Sequence, residues 1–242
     1  MLALKYSYLL FHCVFILPPL IGLLLITKPR IADWGRLLLV AVIAISYTLP
    51  WDNHLIEKGV WTYPREDMIW VPFEEMLLIP LEEYLFMFLQ TLLTGCLILR
   101  LRAYPIFTKK LAEPKLLSFT MPIVWVLLTA LGFRLWNQGH NFYYLGITLA
   151  WAAPIIALQW LIGGKKLAKS LSLVAYGILI PTIYLCIADR IAIGWRVWQI
   201  EAAYSTGIKL LGLPIEEIVF FFVTNTLIVQ GLLLSFSDET NH

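Results

Sequence analysis

The sequence predicts an all-α integral membrane protein of seven transmembrane helices, arranged as two parallel three-helix repeats joined by a linking helix. Three observations carry that prediction. Hydrophobic residues make up 60% of the 242 positions and charged ones only 14%, whereas a soluble domain is about a quarter charged. Seven apolar stretches are each long enough to cross about 30 Å of hydrocarbon as helix. A series of short strings in the first half returns, in the same order, in the second.

In chain order the apolar stretches are roughly residues 4–26, 34–50, 76–99, 117–134, 142–162, 169–188 and 210–234. The first has only Lys5 before it and no small-residue cleavage site near its end, so it reads as a spanning helix and not as a leader. Pro18, Pro19, Pro122, Pro154 and Pro181 lie inside spans, where proline kinks a bundle helix without ending it. Cys13, Cys96 and Cys186 sit in apolar runs without paired or ligand spacing and read as small hydrophobes. The net charge of +2 says little; its placement says more. The first connection holds Lys28, Arg30 and Arg36 against Asp33. The third holds Arg100, Arg102, Lys109, Lys110 and Lys115 against Glu113, and the fifth holds Lys165, Lys166 and Lys169. The even connections are mixed in sign and rich in Trp and Tyr. Positive loops stay in the cytoplasm, which puts the N-terminus outside and the C-terminus inside a multi-pass cell-membrane protein. Trp34, Trp70 and Tyr104 read as interfacial belt residues.

The repeat begins at the end of the second span. "ISYTLPWDNHLIEKGVWTY" from Ile45 is echoed by "IYLCIADRIAIGWRVWQI" from Ile183: an apolar helix end, an aspartate (Asp52, Asp189), then tryptophan (Trp61; Trp195 and Trp198). Each leads to P-x-E-E-x-x-F-x-F, first as Pro80, Glu82, Glu83, Phe86 and Phe88, then as Pro214, Glu216, Glu217, Phe220 and Phe222. The aspartate-to-glutamate interval is 30 residues in the first copy and 27 in the second. The expected division is 1–110 for the first repeat, 111–140 for the linking helix and 141–242 for the second repeat. Both units start outside, so they are parallel repeats about an axis along the membrane normal, and both glutamate pairs enter from the same side.

A carboxylate in hydrocarbon costs several kcal/mol unless it is paired, hydrated or protonated. Glu82 is expected about six residues inside its span, counted from Met76, or roughly 9 Å of helix rise. Adjacent positions differ by about 100° around a helix, so one glutamate of each pair can face the bundle interior. Burial and a like-charged neighbour both favour the protonated form of a carboxyl group, which makes a proton donor among apolar surroundings. The structural alternative is that these acids pin helices together by pairing with Arg190, Arg196 or Lys58. Asp52 and Asp189 are further candidates, each equally readable as a solvated helix end. Glu74 and Glu75 form another P-x-E-E string without a counterpart and read as solvated boundary residues. Phe86, Phe88, Phe220 and Phe222 stand about a turn from the glutamates. With Trp61 and Trp195 they are candidates to hold a carbocation against ring faces, although lipid-facing aromatics need no explanation.

Other chemistry is poorly represented. No G-x-G-x-x-G or G-x-x-x-x-G-K-[ST] string suggests a nucleotide site, and no D-D-x-x-D string could hold magnesium for a prenyl diphosphate. His12, His54, His140 and His242 lack metal-ligand spacing. Neither a cofactor nor a metal is expected, and no nucleic-acid partner.

These strings resemble those of the membrane-embedded carotenoid cyclases of the heterodimeric or fused type, the lycopene β-cyclase family. The carriers are Pro80-Leu81-Glu82-Glu83 with Phe86, Pro214-Ile215-Glu216-Glu217 with Phe220, "YTLPWDN" ending at Asn53, and Trp61 with Tyr63. Met87 departs from the phenylalanine the family tends to have. The resemblance covers nearly the whole chain and implies cyclisation of the ψ-ends of lycopene to β-rings, giving γ- and then β-carotene. An acid protonates C2, the C5=C6 double bond closes on the C1 cation, and a base removes the C6 proton. Substrate and product are isomers, so no net redox cofactor is needed. The same resemblance implies a lipophilic polyene partner, surrounding membrane lipid and association with other carotenoid-pathway enzymes. Rival readings are a C50 carotenoid cyclase or hydratase of the same superfamily, a transporter or proton channel using the same glutamates, and a structural subunit.

Overall fold

Seven helices long and apolar enough to cross a membrane are found in the computed structural model, which describes residues 7–64, 66, 68–69, 78–108 and 115–236. They are α1 (Tyr8–Thr27), α2 (Ile31–Glu57), α3 (Leu81–Leu101), α4 (Lys115–Gln138), α5 (Tyr143–Lys169), α6 (Leu171–Gly194) and α7 (Ile215–Ser235). Among the described residues the protein is all-α apart from two short antiparallel ribbons. Strand β1 (Trp61–Thr62) pairs with β2 (Gln199–Ile200), and β3 (Lys209–Leu210) pairs with β4 (Leu213–Pro214). Helices α3, α5 and α7 are largely buried, while α1, α2 and α4 turn most of their surface outward. That outer surface is apolar, with Leu25, Ile43, Phe119 and Leu161 all well exposed, as expected of a face turned to lipid.

The prolines inside spans are accommodated without ending helices. Pro50, Pro122, Pro154 and Pro181 all lie within their helices. In α1 the turn ahead of Pro18 and Pro19 widens into a π-helical segment, His12–Ile16. Pro19 has no N–H to give to the carbonyl four residues back, and the Phe15 carbonyl accepts instead from the Tyr184 hydroxyl at 2.6 Å. Helices α4 and α5 form a tight antiparallel hairpin. Gly132 lies against the Ala150 backbone and Gly146 against Trp136, leaving no room for a Cβ at either position.

Two helix starts differ from expectation. The third span begins at Leu81 and not near Met76, and the seventh at Ile215 and not near residue 210. Both glutamate pairs therefore occupy a first helical turn and do not lie six residues deep. The reason is the proline of each string. Pro80 and Pro214 are the N-caps, in extended conformation with ψ of 153° and 140°. A first turn has four N–H groups without helical partners, and its dipole favours acidic side chains. Conversely, α2 runs to Glu57 and α6 to Gly194, so Asp52 and Asp189 lie within helices and are both 1% exposed. Neither is a solvated end.

Helices α3 and α7 run parallel at the centre, with the amide Nε2 of Gln90 donating to Thr224 Oγ1 at 3.2 Å and Thr94 Oγ1 to Asn225 Oδ1 at 2.8 Å. At the end away from the glutamates, Arg102 lies 3.6 Å and Arg36 5.0 Å from the Phe236 ring centroid, and Lys166 donates to the Phe236 carbonyl. Cations from the first, third and fifth connections thus meet at one end of the bundle. Trp70, Glu74, Glu75, Lys109, Lys110, Glu113 and His242 lie outside the described residues.

Candidate active site

The two members of each glutamate pair separate, as the 100° step between neighbours on a helix requires. Glu82 turns back on the loop before α3, where the Ile69 amide donates to both of its oxygens at 3.0 and 3.1 Å. Glu216 does the same before α7. It accepts from the Thr206 amide at 2.6 Å, the Thr206 hydroxyl at 2.7 Å and the Ser205 hydroxyl at 3.1 Å. Both are buried, and both tie a loop to a helix start.

Glu83 and Glu217 face inward and line one cavity between α3 and α7. Glu83 Oε2 accepts two phenols, Tyr8 from α1 at 2.7 Å and Tyr63 from the loop after β1 at 2.8 Å. Glu217 Oε1 accepts the phenol of Tyr144, from the first turn of α5, at 2.6 Å. Asp189 lines the same cavity as Glu217; its Oδ1 accepts the Trp198 indole N–H at 2.8 Å, and its Oδ2 is buried without a hydrogen-bond partner among the described residues. Asp52 is as deeply buried, but neither of its oxygens has a hydrogen-bond partner among the described residues, and it does not line the cavity. Burial and the neighbouring Glu83 carboxylate hold the Tyr63 pKa well above its ordinary value, so this phenol remains a donor.

Aromatic rings close the cavity. Phe86 packs edge-to-face on Phe221 at 6.4 Å, and Trp61 meets Phe220 at 5.6 Å and Tyr144 at 5.6 Å, both edge-to-face. The space left is about 20 Å³, enough for about one water molecule. Ring faces and carboxylates in a space from which water is largely excluded can stabilise a cation and move a proton to or from it.

Among the expected residues, Glu83, Glu217, Asp189, Phe86, Phe220 and Trp61 come together here, whereas Glu82, Glu216 and Asp52 lie outside the cavity wall. Phe88, Phe222 and Trp195 do not line it either; Phe222 is 36% and Trp195 50% exposed. No ion pair to the four glutamates occurs among the described residues, where the salt bridges join Arg30 and Arg36 to Asp33. Phenols, hydroxyls and backbone amides do that work in place of Arg190, Arg196 or Lys58. Sequence reasoning missed Tyr8, Tyr144 and Phe221, and did not single out Tyr63 or Trp198 as site residues. A signal existed for the first two: each is a tyrosine near the start of a helix that lies upstream of where one set of the echoed strings begins. Among the described residues no group of three or more His, Cys, Asp or Glu is placed to hold a metal ion.

A family model described as lycopene cyclase matches residues 5–101 and 140–231. A protein named lycopene beta-cyclase, from two strains of Halobacterium salinarum, is 39% identical over 235 residues, which are 94% of this chain and 95% of the relative. A protein named bifunctional lycopene cyclase/phytoene synthase from Aspergillus niger is 30% identical over 224 residues, covering 91% of this chain and 38% of the fungal one. Its namesake from Phaeosphaeria nodorum is 34% identical over 246 residues, or 94% and 40%. No solved structure matches this chain. With matches spanning both halves and nearly its whole length, the chain belongs to the lycopene cyclase family.

Proposed function

We propose that this protein is an enzyme with lycopene beta-cyclase-type activity, closing the ψ-ends of lycopene to give γ- and then β-carotene by acid-base chemistry. The observation that carries the reading is the convergence of Glu83 and Glu217, one from each P-x-E-E string, on a single aromatic cavity. Glu217 and Asp189 supply the acid. Both line the wall of the aromatic cavity, and the proton held there is delivered to C2 of the terminal double bond. The C5=C6 bond attacks the C1 cation, and Phe86, Phe220 and Trp61 shield the charge from water. Glu83, whose Oε2 accepts two phenols, is suited to the ionised form and takes the C6 proton. Return of that proton from Glu83 to Glu217 across the cavity they share resets both groups, so atoms and charge balance over the cycle and the product is an isomer of the substrate.

The two-repeat organisation, 1–110 and 141–242 about a linking helix at 111–140, is part of the same proposal. Three observations support it. Gln90 and Thr224, which bond to each other across α3 and α7, are 134 residues apart, the spacing of the two P-x-E-E strings. Thr62 and Gln199, ten residues beyond Asp52 and Asp189, pair with each other in the ribbon. The family match falls in two blocks that skip residues 102–139. The gathering of Arg36, Arg102 and Lys166 around Phe236 supports a cytoplasmic face at that end, with the N-terminus outside. The polyene reaches the protein from the lipid, and the fungal relatives' combined names support association with other carotenoid-pathway enzymes.

The test is pigment analysis in lycopene-accumulating cells. The protein should replace lycopene by γ- and β-carotene, and Glu83→Gln or Glu217→Gln should leave lycopene while folded protein stays in the membrane. Unchanged lycopene with the wild type, or wild-type product from both variants, would overturn the reading.

A further inference from the structure

The carboxylate cavity is far too small for the end of a polyene, yet a ligand-sized space lies two stacked rings away. Between α2, α4 and α5 a groove of about 340 Å³ is lined by Trp51, Phe133, Trp136, Ala150 and Trp151 among others. Small-molecule sites run from about 300 to 1,000 Å³. The tight α4–α5 hairpin sets Trp136 and Trp151 on its wall. A continuous stack of rings leads from this groove to the acids. Tyr47, 39% exposed, stacks on Trp151 at 5.5 Å; Trp151 stacks on Trp51 at 4.7 Å; Trp51 stacks on Phe220 at 5.6 Å with planes only 5° apart. Phe220 is itself a wall of the carboxylate cavity.

We infer that this groove is a docking site for the conjugated polyene of the substrate, holding it beside the carboxylate cavity. The inference rests on the cyclase reading for its substrate. Flat, stacked indole faces match a flat conjugated chain, where an acyl chain would be served by aliphatic side chains. The stack also makes the groove continuous with the reaction site. Trp51 stands between the two spaces at 6% exposure, and its indole N–H is buried without a partner among the described residues. A buried donor left unpaired is costly, and no hydrogen bond pins that ring in place. Displacing it together with Phe220, on which it stacks, would join the groove to the cavity and admit a ψ-end to Glu83 and Glu217.

Wild-type protein in phosphatidylcholine vesicles is first assayed with lycopene, so that failure of the cyclase reading registers separately, as no product from any form. Ala150→Cys, in the groove wall, is then labelled after folding with benzyl methanethiosulfonate. The wild type with its native Cys13, Cys96 and Cys186 is the labelling control. Filling the groove should raise KM, in mole fraction of lycopene, at least tenfold, with kcat within about threefold of the unlabelled variant, because binding and not chemistry is obstructed. An unchanged KM, or a fall in kcat alone, overturns the inference. So does a label that abolishes tryptophan quenching by dibrominated acyl chains without moving the lycopene KM, which would make this a lipid groove. Should Ala150→Cys not fold, Phe133→Cys at the exposed rim carries the same label and the same expectation.

Discussion

The two halves of the cavity begin from the same string and end in different hydrogen-bond settings. In one, Tyr8 and Tyr63 both donate to Glu83, while Asp52 has no hydrogen-bond partner among the described residues; in the other, Tyr144 donates to Glu217 and Asp189 shares its cavity wall. The cause can be traced to two positions. Trp61 and Trp198 each follow their aspartate by nine residues. Trp198 turns back to its own Asp189, but Trp61 reaches across to Tyr144. Two residues further on, the first half has Tyr63 where the second has Ile200, so only Glu83 gains a second phenol. The repeated strings supply matched positions, and one-residue differences in the loops then give them different hydrogen-bond partners.

The largest expected effect tests whether both halves are needed. Glu83→Gln and Glu217→Gln should each lower cyclisation by about 10²–10⁴-fold, measured as carotenoid product per folded protein; a form that kept wild-type turnover would show its half to be dispensable. The aspartates sharpen the contrast. Asp189→Asn removes a carboxyl group from the cavity wall and should reduce kcat on the order of 10²-fold, clearly more than Asp52→Asn, whose carboxyl lies outside that wall and has no hydrogen-bond partner among the described residues. Equal effects would mean that the asymmetry has no catalytic meaning.

Replacement of the outer glutamates should act on stability and not on chemistry. Glu216→Ala abandons two hydroxyls and an amide, at about 1–3 kcal/mol; Glu82→Ala abandons one amide and should destabilise less. Thermal unfolding in detergent gives the order, and turnover per folded molecule should change little. The smallest effect is expected from Tyr63→Phe, which leaves Tyr8 on Glu83: about two- to tenfold in rate, from a bond of about 0.5–1.5 kcal/mol. Tyr63 also has a pH signature. Its pKa is raised in the fold, so the neutral phenol contributes stability that is fully present below the unfolded value of about 10 and is lost as pH rises above it. Tyr63→Phe should weaken the alkaline fall in stability; an identical alkaline limb in both proteins would show that Tyr63 ionises freely.

The sequence was most informative where physics is one-dimensional. Hydrocarbon thickness sets the length of an apolar run, which is why seven spans were legible and their centres correct. Proline fixes φ and donates no N–H, and the P-x-E-E strings could have been read as helix starts on that ground. Counting apolar residues from Met76 obscured it. The ends of α2 and α6 were less legible, because an aspartate in a sequence suggests water while Asp52 and Asp189 are buried inside their helices.

By itself, then, the sequence determined a seven-helix membrane protein, a duplicated acid motif and a chemistry that needs buried carboxyl groups. Only the tertiary structure decided which acid of each pair faces inward, because neighbouring residues on a helix point about 100° apart and the string is silent about which side the partner helix will occupy. It alone brought Tyr8, Tyr63 and Tyr144 to the acids from residues 73 to 75 positions away and, for Tyr63, 20 positions away. A hydrogen bond is decided by distance in space, and distance along the chain does not encode it.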